Sequence, residues 1–118
     1  MRSLIVALFI SLSFSVFPQV NADKFLIETT LNNYIDAFYK GDMTKLKAVI
    51  KPRLNKFGYW KNKESGDYEY YGHMSYDPAM KFAQKIESDG STRDETKIRT
   101  VKVLDIGNHI AAAKVIAS

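Results

Sequence analysis

Apolar residues recur at three- and four-residue spacings between residues 25 and 40. Ile27, Leu31, Tyr34, Ile35 and Phe38 fall on one face of a predicted helix. Asp23 is placed to cap its start, and Gly41 follows where a left-handed residue is commonly needed. Asp42 then opens a second, short helix over residues 42–50. Pro52 closes it by restraining Lys51 and interrupting the hydrogen-bond ladder. Residues 54–60 and 68–74 are rich in aromatics and read as strands joined by a polar turn over 62–66. Asp77-Pro78 signals a third helix, with Ala79, Phe82, Ala83 and Ile86 as its apolar face and Gly90 as its end. A polar loop over 91–95 precedes the closing strands.

Residues 98–106 and 110–117 read as a hairpin. Gly107-Asn108 is the expected two-residue turn, because both positions tolerate positive φ. That turn pairs Leu104 with Ala111 and Lys102 with Ala113. One face then carries Ile98, Leu104, Ile106, Ala111, Ala113 and Val115 and suits a core. The other carries Arg99, Val101, Val103, Asp105, Ala112, Lys114 and Ile116, a mixed face of the kind that packs against another subunit. The last strand is expected to be left as an uncovered edge, and such an edge invites pairing with a second chain. The order helix, helix, strand, strand, helix, strand, strand describes an α+β domain with a curved antiparallel sheet.

The N-terminus changes what counts as domain. Met1-Arg2, the apolar run from Leu4 to Phe17, and Val20-Asn21-Ala22 form the pattern of a secretory signal peptide over residues 1–22. Pro18, Gln19 and Asn21 interrupt the run too early for a membrane span. Cleavage after Ala22 leaves residues 23–118, enough for one domain, and the expected location is secreted or periplasmic. With no cysteine, disulfides, thiol chemistry and thiolate metal sites are excluded.

The whole chain carries +4, and Arg2 is the only charge in the leader. Basic residues concentrate from Lys40 to Lys63, where Asp42 is the one acid. Lys51, Arg53, Lys56, Lys61 and Lys63 interleave with Phe57, Tyr59 and Trp60. Cations beside stacking aromatics suit an acidic ligand or an anionic surface, or simply form a solvated face. Export argues against nucleic acid.

Tyr34-Ile35-Asp36 and Tyr39-Lys40-Gly41-Asp42 close the first helix. With Leu46, Phe57-Gly58-Tyr59 and the stretch from Asp105 to Val115, they resemble small nuclear-transport-factor-2-like domains. Within that superfamily the chain most resembles the putative lumazine-binding branch, over all of residues 23–118. The resemblance implies a cone-like curved antiparallel sheet packed on a long N-terminal helix plus shorter helices, with a pocket between them. Such domains usually continue into two more strands, which are expected to be lacking here. Enzymes of the superfamily move protons with Asp, His and Tyr inside the cone, because an apolar cavity shifts pKa values toward the working pH.

Candidates for such chemistry are Tyr34, Asp36, Tyr59, Tyr71, His73, Lys102 and Asp105. Tyr71 and His73, two apart on a strand, would share a face, either as donor and base or as a half-exposed strand end. Asp36 lies one position off the apolar stripe and is expected to be solvated. His109, in the turn, is expected to be exposed. Two distant histidines and no spaced carboxylate set argue against a metal, and isolated glycines form no phosphate loop. No cofactor is expected.

These residues point to an exported small-ligand-binding or interaction module without catalysis. Its pocket would be lined by Tyr34, Phe38, Tyr59, Trp60, Tyr71 and Phe82, with His73 as a polar contact. The alternatives are an isomerase- or dehydratase-type enzyme using Asp36 or His73 as base, and a structural dimer subunit. Expected partners are a small aromatic or acidic ligand and a second copy through the sheet face. No stable membrane insertion is expected after cleavage.

Overall fold

The computed structural model describes residues 17–91 and 99–117. The chain runs α1 (Phe17–Lys40), α2 (Met43–Val49), β1 (Lys56–Lys61), β2 (Tyr68–Met74), α3 (Tyr76–Asp89), β3 (Arg99–Ile106) and β4 (Ala111–Ala117). The class is α+β, with a long N-terminal helix, as the element order implies. The strands pair as two antiparallel ribbons, β1–β2 and β3–β4, consistent with a curved sheet packed on helices. No described helix is long and apolar enough to cross a membrane. Most of the expected leader, most of the 91–95 loop and the strand start at Ile98 lie outside the described residues.

Helix α1 begins at Phe17, earlier than expected, so Asp23 sits inside it and not at its cap. Nothing between Phe17 and Asp23 breaks a helix, since Pro18 falls in the first turn where an N–H has no partner anyway. Asp23 instead accepts a hydrogen bond from Gln19 Nε2 at 2.9 Å, one turn back. Its far end behaves as the sequence implies. Gly41 adopts φ +69°, and Asp42 caps α2 by accepting from the Lys45 backbone N–H at 2.8 Å. Helix α3 begins at Tyr76, with Ser75 in the cap position, so Asp77 and Pro78 occupy its first turn. Gly90 ends it at φ 63°.

The core sits where the three helices meet. Ala37, Leu46, Ile50, Ala79, Met80 and Ala83 form one buried cluster, flanked by Tyr34, Phe38, Leu54 and Met74. Alanines on α1 and α3 let the backbones approach closely, and Leu46 fills the remaining volume. The base of the β1–β2 ribbon reaches this core through Leu54 and Met74, while Tyr59, Tyr68 and Tyr70 farther out are exposed.

The second ribbon corrects the sequence reading twice. Its connection is the four-residue loop 107–110, closed by Gly107 N–H donating to the Ile110 carbonyl at 2.7 Å. Neither Gly107 nor Asn108 takes positive φ, so the tight mirror-image turn is not formed. A bulge between Val103 and Asp105 then leaves Leu104 without a direct partner. Val103 pairs with Ala113, Lys102 with Lys114 and Val101 with Val115. The faces are therefore exchanged on the part of β3 before the bulge, while Ile106 beyond it is half-buried as expected. Arg99, Val101 and Val103 are half-buried on the side toward the helices, and Leu104 is 58% exposed. A one-residue change of register reverses which face a strand buries.

Candidate functional site

Tyr34 and Phe38 lie one turn apart on α1, and their rings meet edge to face at 4.9 Å. Phe82 on α3 approaches Phe38 at 6.0 Å, continuing the aromatic wall across the helix pair. The β1–β2 ribbon stands opposite, contributing Lys56, Tyr59 and Tyr71, and the end of β4 contributes Val115 and Ala117. Together they enclose a cleft of about 460 Å³. That volume falls within the usual range of ligand pockets, roughly 300–1,000 Å³.

A bulge shapes the ribbon's side of this cleft. Gly58 pairs with Gly72 but Tyr59 pairs with Tyr70, so Tyr71 is the extra residue. Gly72 takes φ 112°, a conformation that favours glycine. The insertion takes Tyr59 and Tyr71 out of direct pairing, and both still line the cleft. Tyr59 also packs edge to face on Tyr70 at 5.5 Å.

Five of the seven predicted pocket residues, Tyr34, Phe38, Tyr59, Tyr71 and Phe82, thus line one cleft, and Trp60 and His73 do not. Trp60 pairs with Glu69 farther along the ribbon and is 46% exposed. His73 is exposed, its Nε2 is hydrogen-bonded to Asn55 Oδ1, and it does not line the cleft beside Tyr71.

Asp36 is not solvated as its position suggested. It is 23% exposed, with one carboxylate oxygen against Arg99 Nη1 and the other 3.9 Å from Lys45 Nζ. The Arg99 guanidinium also reaches the Asn32 carbonyl at 3.5 Å. This arrangement ties α1 to α2 and β3, and Asp36 does not line the cleft. Lys102 is exposed and sits across from Lys114, and Asp105 accepts from the Ile106 N–H at 2.9 Å. Neither lines the cleft. His109 is exposed in its loop.

The residue that sequence reasoning placed only in a charge run is Lys56. Its ammonium lies 4.7 Å from the Phe38 ring centre and 5.7 Å from that of Tyr34. Its separation from Phe38 along the chain hid this contact, since only closure of the ribbon onto α1 creates it.

A model of the family described as "Putative lumazine-binding" matches residues 22–118. The chain belongs to that family. The putative lumazine-binding family lies within the nuclear-transport-factor-2-like superfamily. The match takes in all four walls of the cleft, from Tyr34 to Ala117. Comparison with curated proteins finds no match, and comparison with solved structures finds none either.

Proposed function

We propose that this chain is an exported small-ligand-binding module that takes a flat aromatic molecule into the cleft between α1, α3 and the β1–β2 ribbon. The observation that carries this reading is the wall of Tyr34, Phe38 and Phe82 rings facing Tyr59 and Tyr71 across about 460 Å³. Aromatic faces spaced across a cleft stack on a planar ring, and phenols add hydrogen-bonding groups at its edge. Membership of the putative lumazine-binding family supports a heterocycle of that shape.

Calorimetric titration with lumazine and other bicyclic heterocycles should give saturable binding. Tyr71→Ala should weaken it about tenfold or more, as for a contact residue at the centre of a site. Trp60→Ala, outside the lining, should change it little. An absence of saturable heat across the panel, or a Tyr71→Ala protein that binds as well as the parent, would refute the pocket.

Export rests on Met1-Arg2, the apolar run and Val20-Asn21-Ala22, and the family match begins at this same point, residue 22. N-terminal sequencing of protein recovered outside the cytoplasm should begin at Asp23. A retained Met1 would overturn that reading.

A further inference from the structure

The cleft carries one charged side chain among its described lining residues, Lys56, and no carboxylate. We infer that the cleft selects planar ligands bearing a negative charge and that Lys56 is the residue that selects them. The inference rests on the ligand-binding reading above and adds the ligand's charge to it.

The Lys56 ammonium lies within cation–π range of the Phe38 and Tyr34 rings, against the wall where a flat ligand stacks. Among the described residues no carboxylate is ion-paired with it. In the open cleft, water solvates this cation. A ligand entering the cleft displaces part of that water. A neutral ligand leaves the ammonium poorly solvated, which costs free energy, whereas an anion replaces the lost water with a charge-assisted contact. The discrimination therefore arises on desolvation and is largest for a ligand that fills the cleft.

The surroundings act in the same direction. Lys51, Arg53, Lys61 and Lys63 are exposed on the segment that leads into and out of β1, and no acid lies between Lys51 and Lys63. Their summed field raises the local concentration of anions at the cleft. Of these cations, only Lys56 lines the cleft. The ligand class that fits is a mono- or bicyclic aromatic with one carboxylate or a comparably acidic ring group.

A matched pair of probes tests this: 2-naphthoate and its neutral isostere 2-naphthamide, titrated calorimetrically into the protein and its Lys56→Met and Lys56→Arg variants. Lys56 is exposed, so both variants should fold, and circular dichroism checks that they do. The parent protein should bind naphthoate about tenfold tighter than the amide, the size of a partly solvated charge contact. Lys56→Met should bring that ratio close to one by weakening naphthoate alone, and Lys56→Arg should retain it. Equal affinities for both probes in the parent would overturn the charge selection while leaving the pocket standing. A ratio that survives in Lys56→Met would remove Lys56 from the role. If neither probe binds, nor any heterocycle of the panel, the pocket itself fails and the inference with it.

Discussion

Gly41→Ala is expected to cost the fold about 2–5 kcal/mol. Gly41 turns the chain between α1 and α2 at φ +69°, and its Cα faces the backbone of α3. A Cβ there would lie 2.5 Å from the Glu87 nitrogen, 2.6 Å from the Ala83 carbonyl oxygen and 2.9 Å from the Glu87 Cα. All three are main-chain atoms of a helix, so no rotamer change relieves the clash, and α3 must move away from the α1–α2 corner. That movement would open the cluster of Ala37, Leu46, Ala79 and Ala83. The left-handed conformation alone costs an alanine about 1–2 kcal/mol. Displacing packed helices adds a cost of the overpacking kind, typically about 1–3 kcal/mol. The sum is a large share of the roughly 5–15 kcal/mol that holds a domain folded. Gly90→Ala is the matched control, with φ 63° and nothing within 4 Å of the added carbon, and it should lose only the conformational part. Urea melts followed by circular dichroism should separate the two variants by about 2 kcal/mol or more. Indistinguishable midpoints would mean that α3 does not press on the corner.

That corner is also the part of the fold the sequence announces most clearly. Glycine followed by a capping aspartate has a local cause, and Gly41-Asp42 performs both roles at the expected positions. Helix faces were readable for the same reason, since a 3.6-residue period is written in consecutive residues. The closing ribbon depends on less local causes. Gly107-Asn108 has the composition of a tight turn, yet the chain makes a four-residue loop and a bulge at Leu104. Each shifts the register, and no alternation pattern reveals a bulge before the partner strand is in place. Arg99 then turns toward Asp36, an ion pair between distant segments that composition gave no reason to expect.

The cleft divides in the same way. Tyr34 and Phe38 were legible as neighbours because they are four apart on one helix, and Phe82 because it lies on the apolar stripe of α3. Tyr59 and Tyr71 share the opposite wall through strand pairing between segments about a dozen residues apart, with a bulge between them that no local pattern announces. His73 and Trp60 had the right chemistry but stay out of the lining, Trp60 because alternation turns it away from the face of Tyr59, and His73 sitting beside Asn55. Lys56 was hidden for the opposite reason. Among many lysines it looked like solvation, and its distinction is purely tertiary.

Leu46→Ala should be at least as damaging as the glycine substitution, by a different route. Leu46 is the one large side chain that is fully buried among the described residues, and it projects from the seven-residue α2. A helix that short has no independent stability in water and is held by what it packs against. Leu46 touches a cluster in which Ala37, Ala79 and Ala83 have no side-chain length with which to fill a void, leaving Ile50 and Met80 as its buried side chains able to relax toward it. The cavity left by truncation should therefore persist, placing the loss toward the upper part of the usual range, about 3–5 kcal/mol. Leu46→Met, which nearly conserves volume, should lose less than about 1.5 kcal/mol. Because Leu46 does not line the cleft, protein that remains folded should bind ligand with unchanged affinity. A lower fraction of active protein at constant Kd separates a core defect from the site defect expected of Tyr71→Ala. A Leu46→Ala protein within about 1 kcal/mol of the parent in a urea melt would show that the cluster collapses around the void and that the helix packing is not rigid.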